Sequence, residues 1–373
     1  MLQAKVVQDS LMPATAQMAR ARARLARCLR DELEARGYLE VETPIAVPVA
    51  GQEPHLRPFV TAFTPDPPIP AGGVREARAL HLHTSPEYAM KRLLARSPEF
   101  GRCYQFARVF RDGEVSRTHN PEFTLLEFYA APGDANGIMV HLEQLIAAAA
   151  SALRGEQSAP PREGHGRGAK GAALDLTPPF ERLTCQQAFE RYAGFDPLPL
   201  DAQALAQAAR TVGVRPADGA GWDDLFTQIL IEKVEPALGL GKPTYLTEYP
   251  ASQAALAKVS PRDPRVSERF ELYALGLELA NGFSELRDPK EQRARLEEEQ
   301  RLRERLGRAL FPLDEKFLAA LPSMPEAGGV AVGLDRLLML FTGAATIAEV
   351  LLFPALEEYP AAPLASLVRS APP

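Results

Sequence analysis

Cysteine is scarce: Cys28, Cys103 and Cys185 are the three in 373 residues, and they form neither a CxxC pair nor a disulfide framework. Scattered and odd in number, they fit free thiols in a reducing compartment. No apolar run approaches the roughly 20 residues of a membrane span, and the N-terminus lacks the apolar core of a signal peptide. Both absences predict a soluble, cytoplasmic protein. A basic surplus is missing too, since Lys+Arg number 42 against 48 Asp+Glu for a net charge of -6. Proteins whose main task is gripping nucleic acid usually carry the opposite imbalance, because phosphate contacts drive that affinity. The charge weighs against such a partner while leaving room for a local basic face. There is no internal repeat and no Ser-His-Asp or Cys-His constellation, so nothing points to a nucleophilic side chain.

What is present is an ordinary globular balance, 46% hydrophobic and 24% charged. Leu25, Cys28, Leu29 and Leu33 fall at helical spacing, which predicts a helix over 14–36 stopped by Gly37. Residues 38–44 read as a strand ended by Pro44. Further strands are predicted at 79–83, 102–110, 123–130, 269–275 and 328–332. A helix is expected to open at Ser85-Pro86-Glu87, with Ser85 as cap and Pro86 in the first turn, and another to follow Gly333. Residues 292–308 read as a charged, solvated helix. The stretch 154–179, rich in Gly, Pro, Arg and Ala, reads as a flexible insertion in a single domain spanning 1–373. Strands mixed with helices without a βαβ rhythm predict an α+β fold, an antiparallel sheet flanked by helices.

Three stretches carry chemistry. In the first, Phe110-Arg111-Asp112-Gly113-Glu114 leads through Arg117-Thr118-His119-Asn120 into a return strand. Phe123, Leu125, Glu127 and Tyr129 share one face of that strand by the period of two. An aromatic ring, a carboxylate and a phenol make a poor core face and suit a cleft that stacks a flat ring and holds a cation. Arg111 offers a planar fork for a carboxylate or phosphate. In the second stretch, Glu271, Glu278 and Glu285 lie in largely apolar surroundings. Buried carboxylates are costly unless a cation or metal compensates them, and Mg²⁺ on phosphates or a substrate ammonium would do so. Asn281, Phe283 and Glu285 share a face, and Glu278 joins it only through a bulge, expected near Gly282, or else has a separate task. Surface carboxylates on an edge strand explain the pattern equally well. The third stretch, 328–340, is a glycine-flanked strand feeding an apolar helix, with Arg336 near the helix start.

These stretches occur in the order and with the content of the three motifs of class II aminoacyl-tRNA synthetases, which they resemble at 37–44, 110–129 and 328–340. His83-Thr84-Ser85-Pro86-Glu87-Tyr88, the run from His119 to Thr124, and Asn281-Gly282-Phe283-Ser284-Glu285-Leu286 are similar to the lysyl subgroup. Lysyl-tRNA synthetases carry an N-terminal anticodon-binding barrel, for which a motif 1 helix starting near residue 14 leaves no room. The chain therefore resembles the elongation factor P lysine ligases, freestanding lysyl-type catalytic domains. A truncated tRNA-charging enzyme and a nucleotide-binding paralogue without turnover are the alternatives.

The resemblance implies ATP and Mg²⁺, (R)-β-lysine or lysine as small substrate, elongation factor P in place of tRNA as acceptor, and a homodimer through motif 1. It implies Arg111 and Arg336 as catalytic residues. It places Arg111, Asp112, Gly113, His119, Asn120, Phe123, Glu271, Leu272, Gly333 and Arg336 around ATP, with Glu271 and Glu278 near the metal. Ser85, Pro86, Glu87, Glu127, Tyr129, Glu278, Asn281, Phe283 and Glu285 would surround the amino acid. Gly113 stands where the family has glutamate, so either Glu114 substitutes or backbone groups contact adenine there. Ala280 and Ala331 stand where lysyl-tRNA synthetases carry glycine, and one methyl in a tight pocket discriminates by about 1–3 kcal/mol.

Overall fold

The computed structural model describes residues 14–66, 76–154 and 174–359. Its frame is an eight-stranded sheet in the order β1-β5-β6-β11-β10-β9-β8-β7. The strands are β1 Leu39–Glu40, β5 Arg102–Phe110, β6 Glu122–Ala130, β7 Glu181–Thr184, β8 Thr244–Thr247, β9 Arg269–Ala274, β10 Leu277–Ser284 and β11 Gly328–Gly333. The six central strands run antiparallel as expected, while the outermost pair at each edge, β1 with β5 and β7 with β8, is parallel. The strand expected over 38–44 shrinks to two residues, continued by one bond from the Val41 N–H to the Tyr104 carbonyl. A second sheet, order β2-β4-β3, comprises β2 Ala46–Val47, β3 Val60–Phe63 and β4 Arg78–Leu82.

The helices are α1 Ala16–Ala35, α2 Glu87–Arg96, α3 Ala135–Ala152, α4 Cys185–Tyr192, α5 Ala202–Thr211, α6 Trp222–Ile229, α7 Pro289–Arg305, α8 Glu315–Ala320, α9 Leu334–Thr342 and α10 Ala355–Glu358. In α1 the Thr15 hydroxyl caps the Met18 N–H, and Ala21, Leu25, Leu29 and Leu33 are buried at a spacing of four. They pack with α3 and α9 on one face of the large sheet, against Leu126 and Phe128 of β6, Phe270 and Leu272 of β9, and Val330 and Val332 of β11. The strand period of two then turns Phe123, Leu125, Glu127 and Tyr129, with Gly329, Ala331 and Gly333, to the opposite face. Helices α2, α7 and α8 cover part of that face through Met90, Leu94, Leu296 and Phe317. Helices α4 to α6 form a further cluster beside β7 and β8.

Three expectations need correction. Helix α7 is no solvated rod: Gln292, Leu296 and Arg303 are buried along one stripe, of which only Leu296 is apolar. The bulge lies between Glu278 and Ala280 instead of near Gly282, and it turns Glu278 toward the same side as Asn281 and Phe283. Helix α2 begins at Glu87 with Pro86 just before it, and Ser85 caps from one position further out by accepting the Glu87 N–H at 3.0 Å. Of the insertion expected at 154–179, residues 155–173 lie outside the described residues. Its last residues are held in place, with Leu174 and Leu176 against the main core and the Asp175 N–H donating to the Gly241 carbonyl.

Candidate active site

On the face left open by α2 and α7 lies a cavity of about 300 Å³. One end is cationic. Arg111, at the end of β5, sets its guanidinium 5.1 Å from the centre of the Phe123 ring, and its Nε is buried without a hydrogen-bond partner. An unpartnered buried guanidinium N–H fits an anion. Arg336, in the first turn of α9, donates to the Glu278 carbonyl at 2.9 Å and lies 3.3 Å from the Glu278 carboxylate. Its Nη2 donates to His119 Nε2 at 2.8 Å. That bond leaves the His119 proton on Nδ1, which meets the Ser116 hydroxyl at 2.7 Å. Burial and the charges of Arg336 and Arg111 push the His119 pKa down to about 4, so the ring is a neutral acceptor that aims Arg336.

The other end is acidic. Glu53, Glu87 and Glu299 line it. Behind Glu87 sits a buried group that the sequence reading missed: Lys91 Nζ lies 2.6 Å from Glu87 Oε1 and 2.5 Å from Glu285 Oε2, with the lysine side chain 1% exposed. Glu127 completes the group, accepting from the Ser85 hydroxyl at 2.8 Å and the Tyr129 hydroxyl at 2.6 Å. Burial opposes the Lys91 charge, but Glu285 and Glu87 more than offset this and hold it protonated. Three carboxyls thus face one ammonium. Burial and the neighbouring Glu87 push the Glu127 pKa up to about 8. For Glu285, burial and Glu87 outweigh the pull of Lys91, with the same result of about 8. Protons therefore balance this group at neutral pH, and a second cation entering the cavity would displace them.

Of the residues singled out in the sequence, the structure brings Ser85, Glu87, Arg111, His119, Asn120, Phe123, Glu278, Asn281, Phe283, Gly333 and Arg336 to one cavity wall. Other expectations are corrected. Asp112 pairs with Arg57 at 3.3 Å, and neither it nor Gly113 reaches the wall. Gly113 is a turn residue with φ of +83° whose Cβ position Arg57 fills. Glu114, the next residue, lines the cavity. Leu272 points into the core. Pro86 lies on a smaller neighbouring pocket. Glu127, Tyr129 and Glu285 stand one layer behind the wall, and the ammonium facing Glu285 is the protein's own Lys91. The Asn120 amide is spent on the Glu122 carbonyl and the Ala355 N–H.

Glu271 does not fit the metal role. Its oxygens accept from Arg269 and from the hydroxyls of Tyr249 and Tyr273, each at 2.6 Å. Among the described residues no three His, Cys, Asp or Glu side chains converge on an ion. Glu278, 41% exposed at its side chain and open to the cavity, does fit a cation that phosphates also ligate.

Gly329 of β11 backs the acidic end, where an added Cβ would lie 2.4 Å from both Glu285 Oε1 and the Tyr129 ring. Gly329→Ala should therefore lower stability by about 1–3 kcal/mol, as read by urea denaturation. An unchanged midpoint would mean that the layer behind the wall is loosely packed.

An antiparallel sheet with a charged hairpin, a glycine-edged third strand and a paired Arg111/Arg336 cavity defines a class II synthetase catalytic domain. The sequence agrees: the family described as tRNA synthetases class II (D, K and N) matches residues 2–357, and the chain belongs to it. It is 41% identical over 336 residues to the elongation factor P--(R)-β-lysine ligase of Proteus mirabilis, covering 89% of this chain and 93% of that protein. The enzyme of the same name from Haemophilus influenzae is 39% identical over 333 residues, with the same two coverages. A lysine--tRNA ligase of Dehalococcoides mccartyi is 38% identical over 345 residues, covering 90% of this chain but 64% of that protein.

Proposed function

We propose that this protein activates (R)-β-lysine, or lysine, with ATP as an acyl-adenylate and transfers the acyl group to a lysine side chain of elongation factor P. The observation that carries this reading is the charge arrangement of one cavity, an unpartnered buried Arg111 N–H at one end and a group of carboxyls that outnumber their one ammonium at the other. A diamino acid complements both: its carboxylate lies toward Arg111 and an ammonium toward Glu87. Relatives that the chain covers nearly end to end carry the elongation factor P name, which favours that acceptor over tRNA.

In the first step a substrate carboxylate oxygen attacks the α-phosphorus of ATP in line, and pyrophosphate leaves with the electron pair of the broken P–O bond. Arg111 holds the attacking carboxylate and the α-phosphate in one fork, and Arg336, aimed by His119, offsets charge on the phosphates. Phe123 offers a ring face and Glu114 an acceptor for adenine. Class II synthetases use ATP and typically Mg²⁺, which neutralises phosphate charge when bound, and Glu278 would hold it. In the second step an acceptor amine attacks the acyl carbon, forming the amide and releasing AMP. Positioning carries most of the rate, so the chain needs no side-chain nucleophile.

Incubation with labelled (R)-β-lysine or lysine, ATP, elongation factor P and tRNA tests the reading. Label retained on the protein acceptor supports it, label on tRNA favours the tRNA-charging alternative, and label on neither contradicts both.

The raised carboxyls give a pH signature. Unfolded glutamate loses its proton near about 4.3, whereas Glu127 and Glu285 hold theirs to about 8. Between these values the folded chain binds more protons than the unfolded one. These groups therefore erode stability as pH rises from about 4.3 to about 8. A bound ammonium favours the ionised carboxylates, so substrate binding should release protons at pH 7 and tighten toward pH 8. Calorimetry in buffers of differing ionisation enthalpy reads the release; proton uptake on binding would contradict the scheme.

A further inference from the structure

The turn that carries Arg111 is braced from outside its own hairpin. Arg111 follows the end of β5, and its N–H donates to the Pro121 carbonyl at 2.8 Å. Among the described residues, the hydrogen bonds that reach residues 111–114 from beyond the β5–β6 hairpin all involve Arg57. The Asp112 N–H donates to the Arg57 carbonyl at 2.7 Å, and Arg57 Nε donates back to the Asp112 carbonyl at 3.4 Å. Arg57 Nη2 lies 3.3 Å from the Asp112 carboxylate. The same nitrogen occupies the place a Cβ would take at Gly113, so glycine is what lets the guanidinium seat across the turn. The Arg57 side chain is 57% exposed. Exposed ion pairs add little to stability, so what this one supplies is geometry.

Arg57 is itself anchored. It ends the 52–57 loop before β3, and the end of α7 holds that loop by its main chain. Arg303, 1% exposed, donates to the carbonyls of Glu53 at 2.8 Å and of Leu56, the residue before Arg57, at 3.1 Å. Arg308 donates to the Pro54 carbonyl at 2.6 Å, and the Gln52 amide to the Pro312 carbonyl at 3.0 Å. A rigid guanidinium fork spent on backbone carbonyls fixes where the chain runs. Arg111, by contrast, has little to hold its own aim. Its Nε lacks a partner, and the Glu114 carboxylate stands 3.9 Å away.

We infer that Arg57 is a positioning residue for the proposed first step: it clamps the Arg111–Glu114 turn so that the Arg111 fork faces the cavity, and Arg303 holds the clamp in place. The assignment rests on the role proposed above for Arg111 and deepens it. Arg57 does not line the cavity, whereas Arg111 and Glu114, on either side of the clamped residues, do. It acts through Arg111. A displacement of about 1 Å costs on the order of 10²-fold in a step that depends on alignment.

Arg57→Ala removes the clamp and leaves the main-chain bond from Asp112 intact, so the variant should fold with an unchanged urea midpoint. In ATP–pyrophosphate exchange with lysine its kcat should fall by about 10–100-fold, with KM for lysine and for ATP within about threefold. In the Arg111→Lys background the same substitution should cost less than about twofold, since no fork remains to be aimed. Arg303→Lys, which breaks the paired bonds to Glu53 and Leu56, should lower kcat in the same direction. An unchanged kcat in Arg57→Ala overturns the assignment. So does a loss of equal size with and without the Arg111 fork, which would show that Arg57 acts elsewhere. Wild-type protein that supports no exchange with lysine or (R)-β-lysine would instead overturn the functional reading beneath it.

Discussion

Arg111→Lys should lower diamino-acid-dependent ATP–pyrophosphate exchange by about 10²–10³-fold, with most of the loss in kcat. The guanidinium offers several N–H donors in a plane, and the proposed first step requires it to hold the attacking carboxylate and the α-phosphate together. Lysine keeps the charge but offers a single point donor on a flexible stem, so it can neutralise one group without orienting two. Nothing else at that end takes over. Arg336 is tied to Glu278 and His119, and Arg57 to Asp112. Stability should change little, since the Arg111 Nε has no partner to lose and the ion pair of its guanidinium with Glu114 is long, at 3.9 Å. A variant with near wild-type kcat would remove Arg111 from the chemistry.

The second large effect is on folding. Lys91→Met should cost about 3–5 kcal/mol of stability, because it strips the one ammonium from Glu87 and Glu285 and leaves buried carboxyls uncompensated. Methionine matches the volume of the apolar stem, so lost packing contributes little. Adding Glu285→Gln to Lys91→Met removes one of the stranded carboxyls and should restore part of that stability without restoring exchange, since both partners of the pair behind Glu87 are then gone. Urea denaturation of the two variants reads the comparison. If Lys91→Met is as stable as wild type, the three-carboxyl, one-ammonium arrangement is wrong.

Much of the frame was legible before any coordinates. Apolar spacing in Leu25, Leu29 and Leu33, and alternation along 123–130, mark elements whose buried faces are hydrophobic, and the structure places those helices and strands close to the expected bounds. Glycine-flanked 328–333 and the charged hairpin likewise fall on the cavity. What the sequence hid is polar and buried. Gln292, Leu296, Glu299 and Arg303 recur at helical spacing, yet with one apolar residue among them the stripe reads as solvated surface. Lys91 stands in a run with Arg92 that looks like an exposed helix face. Its position four residues after Glu87, beside buried Met90 and Leu94, was the available signal. Glu53 lies in a loop where no periodicity operates, and bonds to the loop's main chain from Arg303 and Arg308, 250 and 254 residues from their acceptors in sequence, place it. The Glu271 role failed for a related reason: strand alternation puts its carboxylate on the site face, but gives no warning that Arg269, Tyr249 and Tyr273 already consume it.

The central claim is that one cavity reads a diamino acid by opposite charges at its two ends. Amino-acid-dependent ATP–pyrophosphate exchange, screened over the common amino acids together with (R)-β-lysine, tests it most directly. The account predicts exchange with (R)-β-lysine and lysine and background rates with norleucine, the isostere lacking the distal charge. Exchange that norleucine or glutamate drives as well as lysine would contradict it.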